Sequence, residues 1–250
     1  MQGLTNNLAE LLIRSKKPLH FLHLGKTGGT TIRSAVGDRS LGKFRMRDKI
    51  FWKYYPKVVF HYDVPQAFQK LPNLFFFIRD PIARYKSGFE YSKRILISNE
   101  KTMHNESFAA DPATRKQLEN LFEQFSSFEE WISCLSKTED NDKHDFATRL
   151  KEAIPHLRMD YTYYFKDLQN VRKHSSKVIF IGRQETFTDD VKALYNLIGI
   201  NSSKHQDLIL NAGVKSAPKV NAQLRIGLCK EYEIYDALLE LKDNLKSNRI

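Results

Sequence analysis

The chain reads FLHLGKTGGTT over residues 21–31, where an apolar run ends abruptly at a lysine, two glycines and a row of hydroxyls. The apolar run predicts a buried strand, and the residues after it predict a tight turn that opens a helix. Glycines let the backbone approach an anion closely, and the first N–H groups of a helix point toward such an anion. Lys26 adds a positive charge, and Thr30 and Thr31 add hydroxyl donors. The stretch is therefore either an ordinary tight turn or a phosphate-binding loop.

The order of these residues bears on the kind of nucleotide. In a Walker A loop, Lys and then Ser or Thr follow the last glycine. Here Lys26 precedes both Gly28 and Gly29. The sequence therefore disfavours a conventional ATP or GTP site.

A second apolar run, LFFFI at residues 74–78, has the length and composition of a strand inside a parallel sheet. Asp80 after it is a good helix N-cap, and Pro81 suits the first helical position. Arg79 is then expected at the carboxyl end of a buried strand, where ligands of open α/β sheets bind.

The helix predicted after Arg79 carries Arg84, Ser87 and Tyr91 on one face, at positions i, i+3 and i+7. Arg79 and Ser87 would be able to hold a second phosphate between them, the arginine through a bidentate fork. The alternative is an Arg-Asp pair that closes the strand, with Ser87 facing solvent.

Together the two segments resemble the sulfotransferases that use 3′-phosphoadenosine 5′-phosphosulfate. The shared patterns are HxxKTGGT at residues 23–30 and RDPxxRxxSxF at residues 79–89. The closest similarity is to the branch that contains the heparan sulfate 2-O-sulfotransferases and related carbohydrate sulfotransferases. It is specific over about residues 19–91 and returns faintly at residues 178–187. Gly25 departs from the family, which usually has proline there.

The resemblance implies that the first pattern binds the 5′-phosphosulfate and the second binds the 3′-phosphate. It implies adenosine 3′,5′-bisphosphate as the product and a hydroxyl acceptor, with a carbohydrate favoured by the branch. A later segment, which relatives place over the nucleotide, contributes two further candidates. The residues implied to bind the donor are Lys26, Thr27, Gly28, Gly29, Thr30, Thr31, Arg79, Ser87, Lys215 and Ser216.

Sulfuryl transfer is an in-line displacement that develops charge on the bridging oxygen of the departing phosphate. Lys26 is the predicted catalytic cation, because a charge beside that oxygen acts most strongly in the transition state. A sulfuryl group carries less charge than a phosphoryl group, so no metal is expected. The sequence also shows no clear acidic or histidine cluster at metal-ligand spacing.

His61 is the candidate general base, at the end of the short apolar run VVF of residues 58–60. In the heparan sulfate branch, a histidine in a comparable segment has this role, and an imidazole is the usual proton acceptor near neutral pH. The alternative is that His61 only caps a strand. His23 matches the family's usual histidine, and we expect it within the first strand in a supporting role. The remaining histidines lack a motif and are predicted to lie at the surface: His20, His104, His144, His156, His174 and His205.

The net charge of +11 suits a protein that binds a doubly phosphorylated nucleotide and an acidic acceptor. Basic residues alternate with aromatics over residues 43–57, as in some nucleic-acid-binding segments. A basic run without a nucleic-acid-binding motif is more typical of a solvated helix face, so we predict no nucleic-acid partner.

Cys134 and Cys229 are the only cysteines, which favours a reducing compartment. No apolar run is long enough to span a membrane, and the N-terminus lacks a signal-peptide core. We therefore predict a cytoplasmic enzyme. The alternative is a Golgi-lumenal enzyme whose anchor has been removed.

Alternating strands and helices predict an α/β fold, a three-layer sandwich with a central parallel sheet. The resemblance makes this fold similar to that of the P-loop nucleotide hydrolases. The 250 residues have room for one domain with a full core, and no linker divides residues 1–250. Further predicted elements are a strand over 177–182, a helix over 187–199 and a last helix over about 220–246.

Two functions of other classes stay open beside the sulfotransferase. One is a nucleotide-dependent kinase of similar fold, in which Asp80 would hold a magnesium ion after its strand. The other is a non-catalytic protein that binds polyanions. The position of Lys26 and the pairing of Arg79 with Ser87 favour the sulfotransferase over the kinase.

Overall fold

The computed structural model describes residues 17–29, 31–32, 58–98, 111–136, 142–198 and 222–247. Thr30, Lys215, Ser216 and the basic stretch of residues 43–57 lie outside these ranges. The chain forms two compact units. The first unit comprises Met1–Arg79, Phe165–Ser216 and Tyr235–Ile250, and the second comprises Asp80–Tyr164 and Ala217–Ile234. The prediction of a single domain stays a prediction.

Four strands form one sheet in the first unit: β1 (Leu19–Leu22), β2 (Val58–His61), β3 (Leu74–Ile78) and β4 (Val178–Arg183). Their spatial order is β2-β1-β3-β4, and every neighbouring pair is parallel. The predicted parallel sheet is confirmed. The predicted strand over 177–182 is confirmed one residue further along the chain.

The helices carry labels in chain order. They are α1 (Val64–Lys70), α2 (Pro81–Ser98), α3 (Pro112–Glu123), α4 (Phe128–Ser136), α5 (Asp142–Ala153), α6 (Pro155–Arg158), α7 (Tyr161–Phe165), α8 (Leu168–His174), α9 (Phe187–Leu197), α10 (Ala222–Gly227) and α11 (Cys229–Ser247). The predicted last helix is thus two helices separated at Leu228.

The strand β3 is buried along its whole length because hydrophobic side chains cover both of its faces. On one face Phe76 packs on Phe165, with ring centroids 5.4 Å apart, and both contact Phe68 of α1. On the other face Phe77 packs against Phe187 of α9, with ring centroids 5.3 Å apart. Helices thus flank the sheet on both sides, and the three-layer α/β architecture is confirmed for this unit.

Aromatic packing also organises the second unit. Trp131 of α4 is fully buried, stacks on Phe89 of α2 and donates its ring N–H to the carbonyl of Ala147, at 3.1 Å. A buried Trp of this kind stabilises a core through its area and through its satisfied N–H group.

Arg84 of α2, which the sequence placed on one helix face with Ser87 and Tyr91, has a fully buried side chain. Its guanidinium donates to the carbonyl of Met159 at 2.9 Å and lies 4.9 Å from the Tyr85 ring centroid. Buried main-chain carbonyls and aromatic faces offset part of the cost of removing this charge from water. Arg84 therefore holds the second unit together and is not presented to solvent.

Glu231 of α11 is a buried carboxylic acid in the same unit. Its carboxylate oxygens accept the backbone N–H groups of Tyr161, at 2.8 Å, and Thr162, at 3.0 Å. Burial, together with the neighbouring carboxylate of Asp160, raises the pKa of Glu231 to about 7.

This raised pKa predicts a pH dependence of stability. Between the ordinary pKa of a glutamate and about 7, the unfolded chain releases the Glu231 proton while the folded chain keeps it. The contribution of Glu231 to the free energy of unfolding should therefore fall as the pH rises through this window, by at most about 3 kcal/mol, and it is read as the difference between the wild type and E231Q. Urea unfolding at pH 5, 6 and 7 would measure it.

In that series, E231Q should lack this contribution to the pH dependence of the free energy of unfolding, because glutamine has no carboxyl proton to release. The control is E233Q, which removes an exposed carboxylate of the same helix and should leave the pH dependence as in the wild type. Equal slopes for E231Q and the wild type would contradict the assignment.

Candidate functional site

The carboxyl ends of four parallel strands meet at one edge of the sheet in the first unit. His61 is the last residue of β2, and the turn 23–29 follows β1. Arg79 follows β3, and Gln184 follows β4. Because the strands are neighbours in parallel register, the sheet presents these side chains next to one another. This edge is where open α/β sheets bind ligands.

The turn after β1 has an uncommon backbone. Lys26 adopts a φ of 64° and Gly28 a φ of 90°. For a lysine, the left-handed conformation costs of order 1 kcal/mol or more, and such strain is concentrated at functional sites. The first strand ends at Leu22, so His23 begins the turn and does not lie within the strand as expected.

Thr27 faces inward. Its side chain is fully buried, and its hydroxyl donates to the carbonyl of Leu24 at 2.9 Å. The hydroxyl therefore stabilises the turn, and any contact of Thr27 with an anion would come from its main chain. Thr31 is half-buried in the helical turn that begins at Gly29, where Ile32 donates its backbone N–H to the carbonyl of Gly28.

The protein's own side chains require the two glycines. A Cβ atom on Gly28 would lie 2.4 Å from Oε1 of Gln184 and 2.7 Å from the Phe187 ring. A Cβ atom on Gly29 would lie 2.3 Å from the ring of His23. Both separations are well below van der Waals contact, so the neighbours of the turn leave no room for a side chain.

Arg79 links the strand β3 to this turn. Its Nη1 atom donates to the main-chain carbonyl of Lys26 across 3.5 Å, a long hydrogen bond. The two sequence patterns, which lie 53 residues apart, therefore meet within the first unit. The guanidinium is half-buried, so it keeps a surface on which an anion could lie.

His61 makes a contact that the sequence did not predict. Its Nε2 atom lies 2.9 Å from Nδ1 of His20, a residue of β1. Burial lowers the pKa of His61, and burial together with the neighbouring His61 lowers the pKa of His20. Both rings are thus neutral at neutral pH, which is the form that accepts a proton. The prediction that His20 lies at the surface was wrong, because its side chain is only 8% exposed.

The rest of the second pattern lies in the second unit. Asp80 caps α2, since its Oδ1 atom accepts the backbone N–H of Ala83 at 3.0 Å, as the sequence predicted. Its Oδ2 atom accepts the hydroxyl of Tyr232 at 3.0 Å. Ser87 is half-buried on α2. Its proposed contact with a phosphate stays a prediction, as do those of Thr30, Lys215 and Ser216, which lie outside the described residues.

Sequence reasoning missed Gln184. Its Oε1 atom is buried beside Gly28 and has no hydrogen-bond partner among the described residues. In the sequence, Gln184 differs from other polar residues only in lying just after a predicted strand. This position is shared by too many residues to identify one of them as part of a site.

Two further observations concern the described ranges. No group of three or more His, Cys, Asp or Glu side chains there is placed to hold a metal ion. No helix in the same part of the chain is long and apolar enough to cross a membrane.

Comparison with known proteins gives one match. A model of the sulfotransferase family matches residues 9–209, which is most of the chain and includes the turn, His61, Arg79 and β4. No curated protein and no solved structure matches the chain.

The clash between Gly29 and His23 predicts a coupled pair of substitutions. G29A should lower the free energy of unfolding by roughly 1–3 kcal/mol, because its methyl group overlaps the His23 ring. In the H23A background the same change should cost little, since the ring is gone and alanine favours a helix. Urea unfolding of the four proteins would give the coupling energy, and simple additivity would contradict the packing argument.

Proposed function

This chain belongs to the sulfotransferase family, and from that premise we propose that it moves a sulfuryl group from 3′-phosphoadenosine 5′-phosphosulfate to a hydroxyl of a carbohydrate acceptor. One observation carries the proposal beyond the family. The carboxyl edge of the sheet presents Lys26, Arg79 and His61 side by side. These are the cation, the anion-binding fork and the base that such a transfer requires.

The residues at this edge fit a nucleotide with anionic groups at its 3′ and 5′ positions. The side chains of Lys26 and Arg79 supply two positive charges, and Arg79 is held beside the turn through its hydrogen bond to the main-chain carbonyl of Lys26. In our proposal the turn and Lys26 bind the 5′ end, with Thr27, Gly28, Gly29, Thr30 and Thr31 around it. Arg79 and Ser87 bind the 3′-phosphate, and Lys215 and Ser216 add contacts to the nucleotide.

The donor supplies an activated sulfuryl group whose departure leaves negative charge on the bridging oxygen. We assign to Lys26 the stabilisation of that charge, because a fixed cation in a partly desolvated turn acts without reorganisation. The strained backbone at Lys26 supports this assignment, since a left-handed lysine is retained against an energetic cost.

His61 takes the proton of the acceptor hydroxyl in this proposal. It is half-exposed at the end of β2, so an acceptor can reach it, and its lowered pKa keeps the ring neutral. A neutral imidazole at neutral pH is ready to accept a proton as the hydroxyl attacks.

The kinase alternative loses its main support. In that alternative Asp80 would bind magnesium, but both of its carboxylate oxygens accept hydrogen bonds from Ala83 and Tyr232. A carboxylate that caps a helix and binds a tyrosine is explained by structure alone.

Two substitutions of Lys26 distinguish the catalytic effect of its side-chain charge from the effect of its backbone strain on stability. K26A should lower kcat by about 10²–10³-fold, as expected for loss of one charge-stabilising donor, with a much smaller effect on nucleotide affinity. K26G should lose activity equally but raise the free energy of unfolding by about 1 kcal/mol, because glycine adopts a φ of 64° without strain.

The measurements are sulfuryl-transfer assays and urea unfolding. The control is K70A, which removes an exposed lysine of α1 and should alter neither quantity. Unchanged turnover in K26A would remove Lys26 from the mechanism.

Calorimetric titration tests the donor site directly. The wild type should bind adenosine 3′,5′-bisphosphate far more tightly than adenosine 5′-monophosphate or Mg·ATP. R79A should weaken the bisphosphate selectively, by roughly 10–100-fold for a lost charged hydrogen-bonding fork, and leave the monophosphate nearly unchanged.

The matched control is R172A, which removes an exposed arginine of α8 in the same unit and should bind as the wild type does. Equal losses for both ligands in R79A would reject the 3′-phosphate assignment. A preference for Mg·ATP would favour the kinase over the sulfotransferase. Binding of polyanions alone, unaffected by K26A, would favour the non-catalytic protein.

A further inference from the structure

We propose that His20 is a positioning residue that holds His61 in one tautomer, with Nε2–H donated to His20 and Nδ1 free to take the proton of the acceptor hydroxyl. The inference rests on the proposed function, because it presumes that His61 is the base. It adds the identity of the basic atom and a second histidine to the site.

The geometry indicates a hydrogen bond between the two rings. The nitrogen atoms lie 2.9 Å apart, and the ring centroids lie 5.0 Å apart with the planes inclined by 49°. This centroid separation is close to the longest that such a nitrogen contact permits. The rings therefore meet edge to edge, with the two nitrogens between them, and do not stack.

When two neutral imidazoles form such a hydrogen bond, only one of the two facing nitrogens carries a proton. That ring is the donor, and the other ring is the acceptor. If Nδ1 of His20 donated, the His61 lone pair at Nε2 would be occupied and its Nδ1 would carry a proton. His61 could then accept nothing. If Nε2 of His61 donates, its Nδ1 keeps the lone pair that a base needs. Only the second arrangement is compatible with catalysis.

The fold makes His20 the fixed partner of the pair. It lies on β1, which has β2 on one side and β3 on the other, and its backbone N–H is donated to the carbonyl of Asn73 at 3.1 Å. His61 lies on β2, at one edge of the described sheet, with its Cα opposite that of Leu22. A buried ring on an internal strand therefore orients a half-exposed ring on the strand beside it.

The proton balance of the step is complete with these two residues. As the acceptor oxygen forms its bond to sulfur, the bond from sulfur to the bridging oxygen breaks, and its electron pair stays on the departing phosphate. The hydroxyl proton moves to Nδ1 of His61. The resulting imidazolium keeps its Nε2–H bond to neutral His20, which becomes charge-assisted and stronger.

Nitrogen NMR of the ¹⁵N-histidine-labelled full chain tests the tautomer without any activity. The signals of His61 and His20 are assigned by their loss in H61Q and H20N. We expect His61 to be protonated at Nε2 and unprotonated at Nδ1, with His20 unprotonated at Nδ1. Protonation of His61 at Nδ1 would overturn the proposal, whether or not the protein transfers sulfate.

Turnover then tests the positioning role. H20L removes the acceptor atom, whereas H20N places an amide oxygen near the former Nδ1. H20L should lower kcat by about 10–100-fold, the usual effect of losing an orienting hydrogen bond, with KM and bisphosphate affinity within twofold of the wild type. H20N should recover most of the loss.

Equal losses in H20L and H20N, or no loss in H20L, would overturn the proposal. H61A is the reference and should lose about 10²–10⁴-fold in kcat, as general bases do. Full activity in H61A would also overturn it while leaving donor binding and Lys26 intact. Absence of bisphosphate binding in the wild type would instead count against the proposed function, so the two failures are distinguishable.

Discussion

The burial of β3 on both faces is the constraint on which the first unit depends. A strand of five apolar residues, three of them consecutive phenylalanines, can only lie inside a sheet that helices cover on both sides. The four described strands of this sheet are parallel, so their carboxyl ends lie at the same edge. The polar groups that follow the strands are then brought together by the hydrophobic effect, without any attraction among themselves.

The turn after β1 shows how packing and chemistry share the same residues. His23, Gln184 and Phe187 close around the two glycines, so these glycines would be required even if no anion bound there. The charged groups are different. Lys26 stays in a strained backbone conformation, and Arg79 donates to its carbonyl. Packing thus determines the shape of the turn, and the proposed function assigns the chemistry to the cations.

Much of this arrangement could be predicted from the sequence, because its signals are local. The apolar runs predicted the strands β3 and β4, and Asp80 followed by Pro81 predicted the start of α2. The features that the sequence could not predict concern tertiary contacts. Helical periodicity placed Arg84 on one face with Ser87 and Tyr91, but it could not show that Arg84 is buried, where one guanidinium nitrogen donates to the carbonyls of His156 and Met159. His20 has no motif, and its partner lies 41 residues away on another strand, so only the strand order brings the two histidines together.

The hydrogen bond from Arg79 to the main chain of Lys26 has an evolutionary consequence. A carbonyl group is present whatever side chain the residue carries, so this link between the two motifs does not depend on the lysine side chain. Under the proposed function, a descendant that lost the lysine would keep the residues proposed to bind the nucleotide and lose only the proposed catalytic cation. A single substitution would then convert the enzyme into a pseudoenzyme that still binds the nucleotide.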